Sequence, residues 1–237
     1  MTTRRDERPF SAVPGWLAAS LLLALAAQLA VHHFGPAAGR VARPLPPAPP
    51  ATLVELAALG EAQLAGRMLM LWLQAWDTQP GISVPLQSLD YPRLRDWLRV
   101  SAQLAPHSRY PHLAAARLYA EVPDPARQRL MLDFVHEQFL QAPAERWQWL
   151  AHAVFVARHR LGDLPLALRY ATALAEHTAP GEAPPWARQM RIFVLADMGE
   201  TAAARVLLGA LLTSDQGLDP AERRFLAGRL AELERRQ

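Results

Sequence analysis

Residues 149–174 read WLAHAVFVARHRLGDLPLALRYATAL and residues 186–211 read WARQMRIFVLADMGETAAARVLLGAL, an approximate copy displaced by 37 positions. Trp149 falls on Trp186, Leu161-Gly162-Asp163 on Met198-Gly199-Glu200, Ala167 on Ala204 and Leu174 on Leu211. Gly162 and Gly199 can take the left-handed conformation that ends a helix, and the acid that follows can accept from the free N–H groups opening the next one. Behind the turn, Leu164, Ala167, Leu168, Ala171 and Leu174 recur at i, i+3, i+4, i+7 and i+10, so one stripe of the second helix is apolar. Ala204, Leu208 and Leu211 repeat that stripe. A small residue at Ala167 and Ala204 lets the two helices of a hairpin approach closely. Periods of this size mark stacked helical pairs.

Working outward, Asp90, Asp124, Asp163 and Glu200 are expected to open the second helices of four hairpins, at intervals of 34, 39 and 37 residues. Asp90 caps a helix reaching Ala105, with Pro92 in its first turn and Pro106 beyond its end. Tyr110 to Ala120 and Ala126 to Leu140 form the next pair around Pro123-Asp124-Pro125. Residues 52–77 are expected to be one long helix, with Leu53, Leu56, Leu64, Met68, Leu71 and Trp72 at helical spacing. Its all-round apolar run Met68 to Leu73 reads as core, with a methionine-rich partner face as the alternative. Thr78 to Leu89 reads as a loop that packs down through Ile82, Val84 and Leu86. Asp219-Pro220 starts a last helix, whose Arg223, Arg224, Glu232, Arg235 and Arg236 supply the polar outer face of a terminal cap.

The Gly-acid turn followed by a small residue four positions on, Asp163 to Ala167 and Glu200 to Ala204, resembles the tetratricopeptide repeat. The resemblance covers about residues 88–214; the family's tryptophan and Leu-Gly pair in the first helix are absent, and its period is 34 rather than 37. It implies an all-α, right-handed stack of antiparallel helical hairpins whose first helices line a groove for a peptide or protein. In that register the groove would hold Trp149, His152, His159 and Arg160 from one repeat and Trp186 and Gln189 from the next. The competing reading puts Trp149 and Trp186 in the seams between repeats, and Trp147 is a rival for the inward position.

The segment before the repeats is of another kind. Ala12 to Val31 contains only Ser20 and Gln28 as polar members, and 20 helical residues match the roughly 30 Å hydrocarbon core of a bilayer. Residues 12–34 are therefore expected to be a transmembrane signal anchor behind a cytoplasmic tail, residues 1–11, whose Arg4, Arg5 and Arg8 favour that orientation. The remainder would then lie in the periplasm, anchored to the inner membrane. Ala24-Leu25-Ala26 would allow cleavage instead, and a buried helix of a soluble protein is the third possibility. Residues 35–50 hold six prolines in sixteen positions and read as an extended polyproline spacer before the helical domain, residues 51–237.

Composition narrows the function. There is no cysteine, which excludes disulfides, thiolate metal sites and cysteine nucleophiles. All 25 basic residues are arginine; five precede residue 51, leaving 20 against 20 acids in the helical domain (25 − 5 and 22 − 2). A neutral domain argues against nucleic acid as partner. No phosphate-cradling glycine loop is present, Leu140 stands where a second zinc-binding histidine would follow His136-Glu137, and His152 and His159 lie about 10 Å apart along one helix. No cofactor, metal or small-molecule substrate is therefore expected. Glu121, Glu137 and Glu145 are the candidates for the acid of a peptidoglycan hydrolase, a role needing a carboxyl in a pocket that raises its pKa. The function expected is instead a non-enzymatic adaptor for protein partners in cell-envelope assembly; a cytosol-facing scaffold is the further alternative.

Overall fold

A computed structural model describes residues 14–34, 42–76, 78–79, 82–213 and 220–235. It divides into two units, residues 1–42 with 80–82, and residues 43–79 with 83–237. In the first, the described structure is a single helix, α1 (Gly15–Phe34). Its described side chains are all exposed, Leu21, Leu23 and Val31 each by about 70%. The tail and residues 12–13 of the expected span lie outside the described residues. Among the described residues no helix is long and apolar enough to cross a membrane.

Apart from the extended segment 43–50 and the short strand residues Thr78–Gln79 and Ser83, the regular structure of the second unit is helical. Its helices are α2 (Ala51–Ala57), α3 (Ala62–Ala75), α4 (Tyr91–Leu104), α5 (Tyr110–Arg117), α6 (Pro125–Gln141), α7 (Pro143–His159), α8 (Leu164–His177), α9 (Pro185–Asp197), α10 (Thr201–Thr213) and α11 (Pro220–Arg235). Each helix from α2 to α11 packs on the next in sequence order, and α5 also touches α7, α7 touches α9 and α4 touches α6. Consecutive contact makes hairpins; contact at one remove stacks them. Helical pairs joined by short turns have few other ways to cover their apolar stripes.

The turns follow the chemistry read from the sequence. Asp90, Asp124 and Asp163 each accept a backbone N–H three residues on, from Arg93 (3.1 Å), Arg127 (3.0 Å) and Leu166 (3.0 Å). Gly162 (φ 62°) and Gly199 (φ 81°) are left-handed, and the N–H groups of Asp163 and Glu200 donate back to Ala157 and Leu195 carbonyls. Beyond the turns, Ala167 and Ala204 are fully buried, as are Ala171 and Leu208 at equivalent positions. Ile192, Ala204, Leu208, Leu226 and Leu233 join α9, α10 and α11 into one core, while Arg223, Arg224 and Glu232 of α11 stay exposed.

Polar links between neighbouring hairpins carry the same period. Arg99 pairs with Glu137 38 residues on (2.8 Å), Arg129 with Asp163 at a separation of 34 (2.9 Å), Arg158 with Asp197 at 39 (2.5 Å), and the Tyr170 hydroxyl donates to Asp133, 37 back (2.9 Å). Arg169 to Asp133 and Arg160 to Glu121 are further pairs of this kind. The ion pairs among them are partly exposed and each worth about 1 kcal/mol or less, so they report the stacking register more than they hold it.

Two expectations are corrected here. The helix expected over 52–77 is two, because Leu59 (φ 51°) and Gly60 (φ 93°) turn the chain between α2 and α3. Of the residues expected in the core, Leu53, Leu56, Leu64, Met68 and Leu71 are 56–74% exposed and Trp72 is 37% exposed. The buried stripe is Gly66, Met70 and Leu73. Gly66 selects it: a Cβ there would lie 2.9 Å from the Ala105 Cβ and 3.0 Å from the Ser101 carbonyl, so only glycine lets α3 meet α4. The second correction concerns the spacer, whose described part is docked. Leu45 is 2% exposed, Arg93 donates to the Leu45 carbonyl (2.5 Å), and the Trp97 indole donates to the Pro46 carbonyl (2.9 Å).

Gly66→Ala is expected to lower stability by about 1–3 kcal/mol through forced separation of α3 and α4, read as a lower urea midpoint at unchanged helicity. Asp163→Ala is expected to cost about 1–2 kcal/mol from the lost cap, with Asp163→Asn retaining most of it; equal losses would instead put the weight on the Arg129 pair.

Candidate partner-binding face

The six residues expected in a groove are not assembled into one. His152 and Arg160 on and just past α7 converge on Glu121, at the end of the 3-10 turn Tyr119–Glu121. Arg160 pairs directly with Glu121; His152 Nε2 stands 3.6 Å from the same carboxylate, too far for a hydrogen bond. Burial, reinforced by the nearby Arg117 charge, lowers the His152 pKa below the ordinary histidine value against the pull of Glu121, so the ring is neutral at pH 7. Phe155, 47% exposed, lies between His152 (6.2 Å between ring centroids) and His159 (4.8 Å), so α7 presents an aromatic row with an acid-arginine pair at its edge.

Trp149 and Trp186 do not meet. Trp186 is 51% exposed and makes an edge-on contact with Trp147 at 5.7 Å, while Trp149 is half-buried with its indole N–H enclosed and unpartnered. Of the two neighbours, Trp147 reaches the next hairpin because it lies two residues, about 200° of helix, round from Trp149. Gln189 is 6% exposed and donates to Glu222 on α11 at 2.8 Å, and it lines the cavity beside α9.

Next to the Trp147–Trp186 contact the helices leave a cavity of about 720 Å³ between the α8–α9 loop, α9 and α10. Pro180, Pro184 and Pro185 make its lip, Ile192 and Leu207 its floor, and Arg188 and Arg191 its charged wall. The Nε–H groups of both arginines are enclosed without a partner, and Arg191 reaches Glu176 only at 3.8 Å. Exposed tryptophan beside arginine and an apolar floor is the composition of residues that dominate binding at protein interfaces. Among the described residues no group of three histidines or carboxylates converges as a metal site.

Phe155 was within reach of the sequence, since 152, 155 and 159 are spaced i, i+3 and i+7 on one helix face. Arg188 and Arg191 were not, because their positions gain meaning only from the loop that folds over them. His112 on α5 gave no signal either; it is 2% exposed, and burial together with the Arg146 charge pushes its pKa down to about 4. Scans against protein-family models, curated proteins and solved structures returned no match for this chain.

His112 makes folding pH-dependent. Its folded pKa lies below the unfolded value of about 6.5, so the unfolded chain binds the proton more readily and stability is lost as pH falls from about 6.5 towards about 4. The groups facing it are Phe134 on α6, Arg146 on α7, and His107, Arg109 and Glu145 at the rim. The loss should approach about 3 kcal/mol at the acid end of that window, and His112→Gln should flatten the profile measured by denaturant titration between pH 7 and pH 4.

Proposed function

We propose that this chain is a membrane-anchored, tetratricopeptide-like adaptor that binds protein or peptide partners through α7 and α9 and works in cell-envelope assembly. The observation that carries the binding reading is the exposure of Trp186 and Phe155, with Trp147 half-buried against Trp186, together with the arginine-walled cavity at the start of α9. A folded stack has no internal use for tryptophan left half in water, whereas a partner covering it gains apolar burial and a charge-matched wall. The expected groove shifts accordingly: Trp186 and Gln189 stay, Trp149 leaves, and Trp147, Phe155, Arg188 and Arg191 join.

The anchor reading draws on α1, a helix without charged residues whose described apolar side chains all lack cover. The apolar sequence continues upstream to Ala12, which restores the 20 residues a span requires. The arginines before it place the N-terminus in the cytoplasm and the helical domain in the periplasm. A non-enzymatic role is favoured because none of the acids considered for hydrolysis has apolar surroundings: Glu121 pairs with Arg160, Glu137 with Arg99, and Glu145 is 56% exposed. A general acid for glycoside cleavage needs apolar surroundings that keep it protonated.

Alkaline phosphatase fused after residue 60 should be active and a cytoplasmic reporter at the same point inactive; the opposite pair of results would describe a cytosol-facing scaffold. A photo-crosslinking amino acid at Phe155 should capture a discrete partner, while one at exposed Val206 should not. Trp186→Ala should remove that adduct and leave stability within about 0.5 kcal/mol, as for other surface changes. An adduct unaffected by Trp186→Ala would move the binding face elsewhere.

A further inference from the structure

A second, smaller cavity of about 260 Å³ lies between the α4–α5 loop, the start of α5 and the first turns of α7. Its wall holds three nitrogen-bearing side chains whose needs the protein leaves unmet. His112 is 2% exposed, and neither ring nitrogen has a hydrogen-bond partner. Trp149 lines the same space, and its indole N–H is enclosed and unpartnered. Arg146 is 6% exposed and bonded only to neutral oxygens, those of the Gln138 carbonyl (2.7 Å) and side chain (3.4 Å), the Gln141 side chain (3.3 Å) and the Pro106 carbonyl (3.0 Å).

Those four bonds hold the guanidinium in place without neutralising it. No carboxylate lies within ion-pair distance of Arg146 among the described residues. The adjacent Glu145 is 56% exposed at the rim, facing His107. A buried cation bonded only to neutral groups keeps much of its desolvation cost, and a buried N–H without an acceptor adds to it. Water would satisfy the hydrogen bonds but leave the charge. A compact monoanion with oxygen acceptors on one side and an apolar stem satisfies both, because it accepts from Trp149 and His112 while facing Arg146.

We propose that this cavity is a binding site for a single carboxylate, gripped by Arg146, Trp149 and His112. A carboxylate matches better than phosphate because one fixed cation meets one negative charge, and the rim carries Glu145, which opposes a second. The site is separate from the aromatic face of the proposed adaptor surface and does not depend on it.

The test is an NMR titration of the full chain in detergent micelles at constant ionic strength, following the Trp149 indole N–H and the His112 ring protons. Sodium acetate should shift both saturably, and sodium chloride should shift neither. Trp149→Phe keeps the cavity's shape while removing one donor, and should weaken acetate binding, read on His112, roughly tenfold, as expected for one hydrogen bond to a charged acceptor. Arg146→Gln should abolish binding; should that variant fail to fold, Trp149→Phe carries the test. A blocked glutamyl tripeptide that binds more tightly than acetate assigns the carboxylate to an acidic side chain of a partner. Acetate binding with the peptide excluded assigns it to a free organic acid. No saturable shift with either, shifts with inorganic phosphate but not acetate, or equal affinity in Trp149→Phe, would overturn the proposal.

Discussion

Close approach of helices at small residues is the constraint on which the structure depends. Gly66 against Ala105 and Ser101, and the fully buried Ala167 and Ala204, set how near each helix comes to its neighbour. Near approach leaves no room for water and lets the larger side chains on either side interdigitate, which is where most of the apolar burial arises. The left-handed glycines at 162 and 199 serve the same end, since only a tight reversal returns the chain at that spacing. Cross-hairpin ion pairs at separations of 34–39 then follow from the stacking as a consequence.

The ends of the stack behave differently from its middle. At the C-terminal end α11 buries Leu226 and Leu233 and turns its arginines outward, closing the last apolar surface. At the other end α3 buries a narrow stripe and leaves Leu64, Met68 and Leu71 in the open, while the extended chain around Leu45 covers part of α4. Proline suits that covering role because a segment with few N–H groups lies on a helix through its carbonyls and side chains alone, as the Arg93 and Trp97 bonds show.

Two binding environments result from one scaffold. Where hairpins diverge around the α8–α9 loop, a wide arginine-walled cavity opens beside exposed tryptophan. Where the α4–α5 loop closes over α7, the space is small and its nitrogen atoms are held without partners. Both lie beside loops, because regular helix packing satisfies its own backbone and leaves specific chemistry to the connections.

The amino-acid sequence by itself determined the helical class, the glycine turns at 162 and 199 and the capping aspartates Asp90, Asp124 and Asp163, because these depend on local chemistry: a glycine's freedom at positive φ, a carboxylate three residues from an N–H, an apolar residue each turn. It also determined that Ala167 and Ala204 would be buried. Only the tertiary structure decided which side of an all-round apolar helix faces inward, and so sent Leu64 and Met68 outward while Gly66 and Met70 went in. It alone decided that Trp147, not Trp149, meets Trp186, that Gln189 is spent on Glu222, and that His112 and Arg146 share one enclosure. Those outcomes depend on the rotation of each helix about its axis, which summed packing over several neighbours sets and no local pattern encodes.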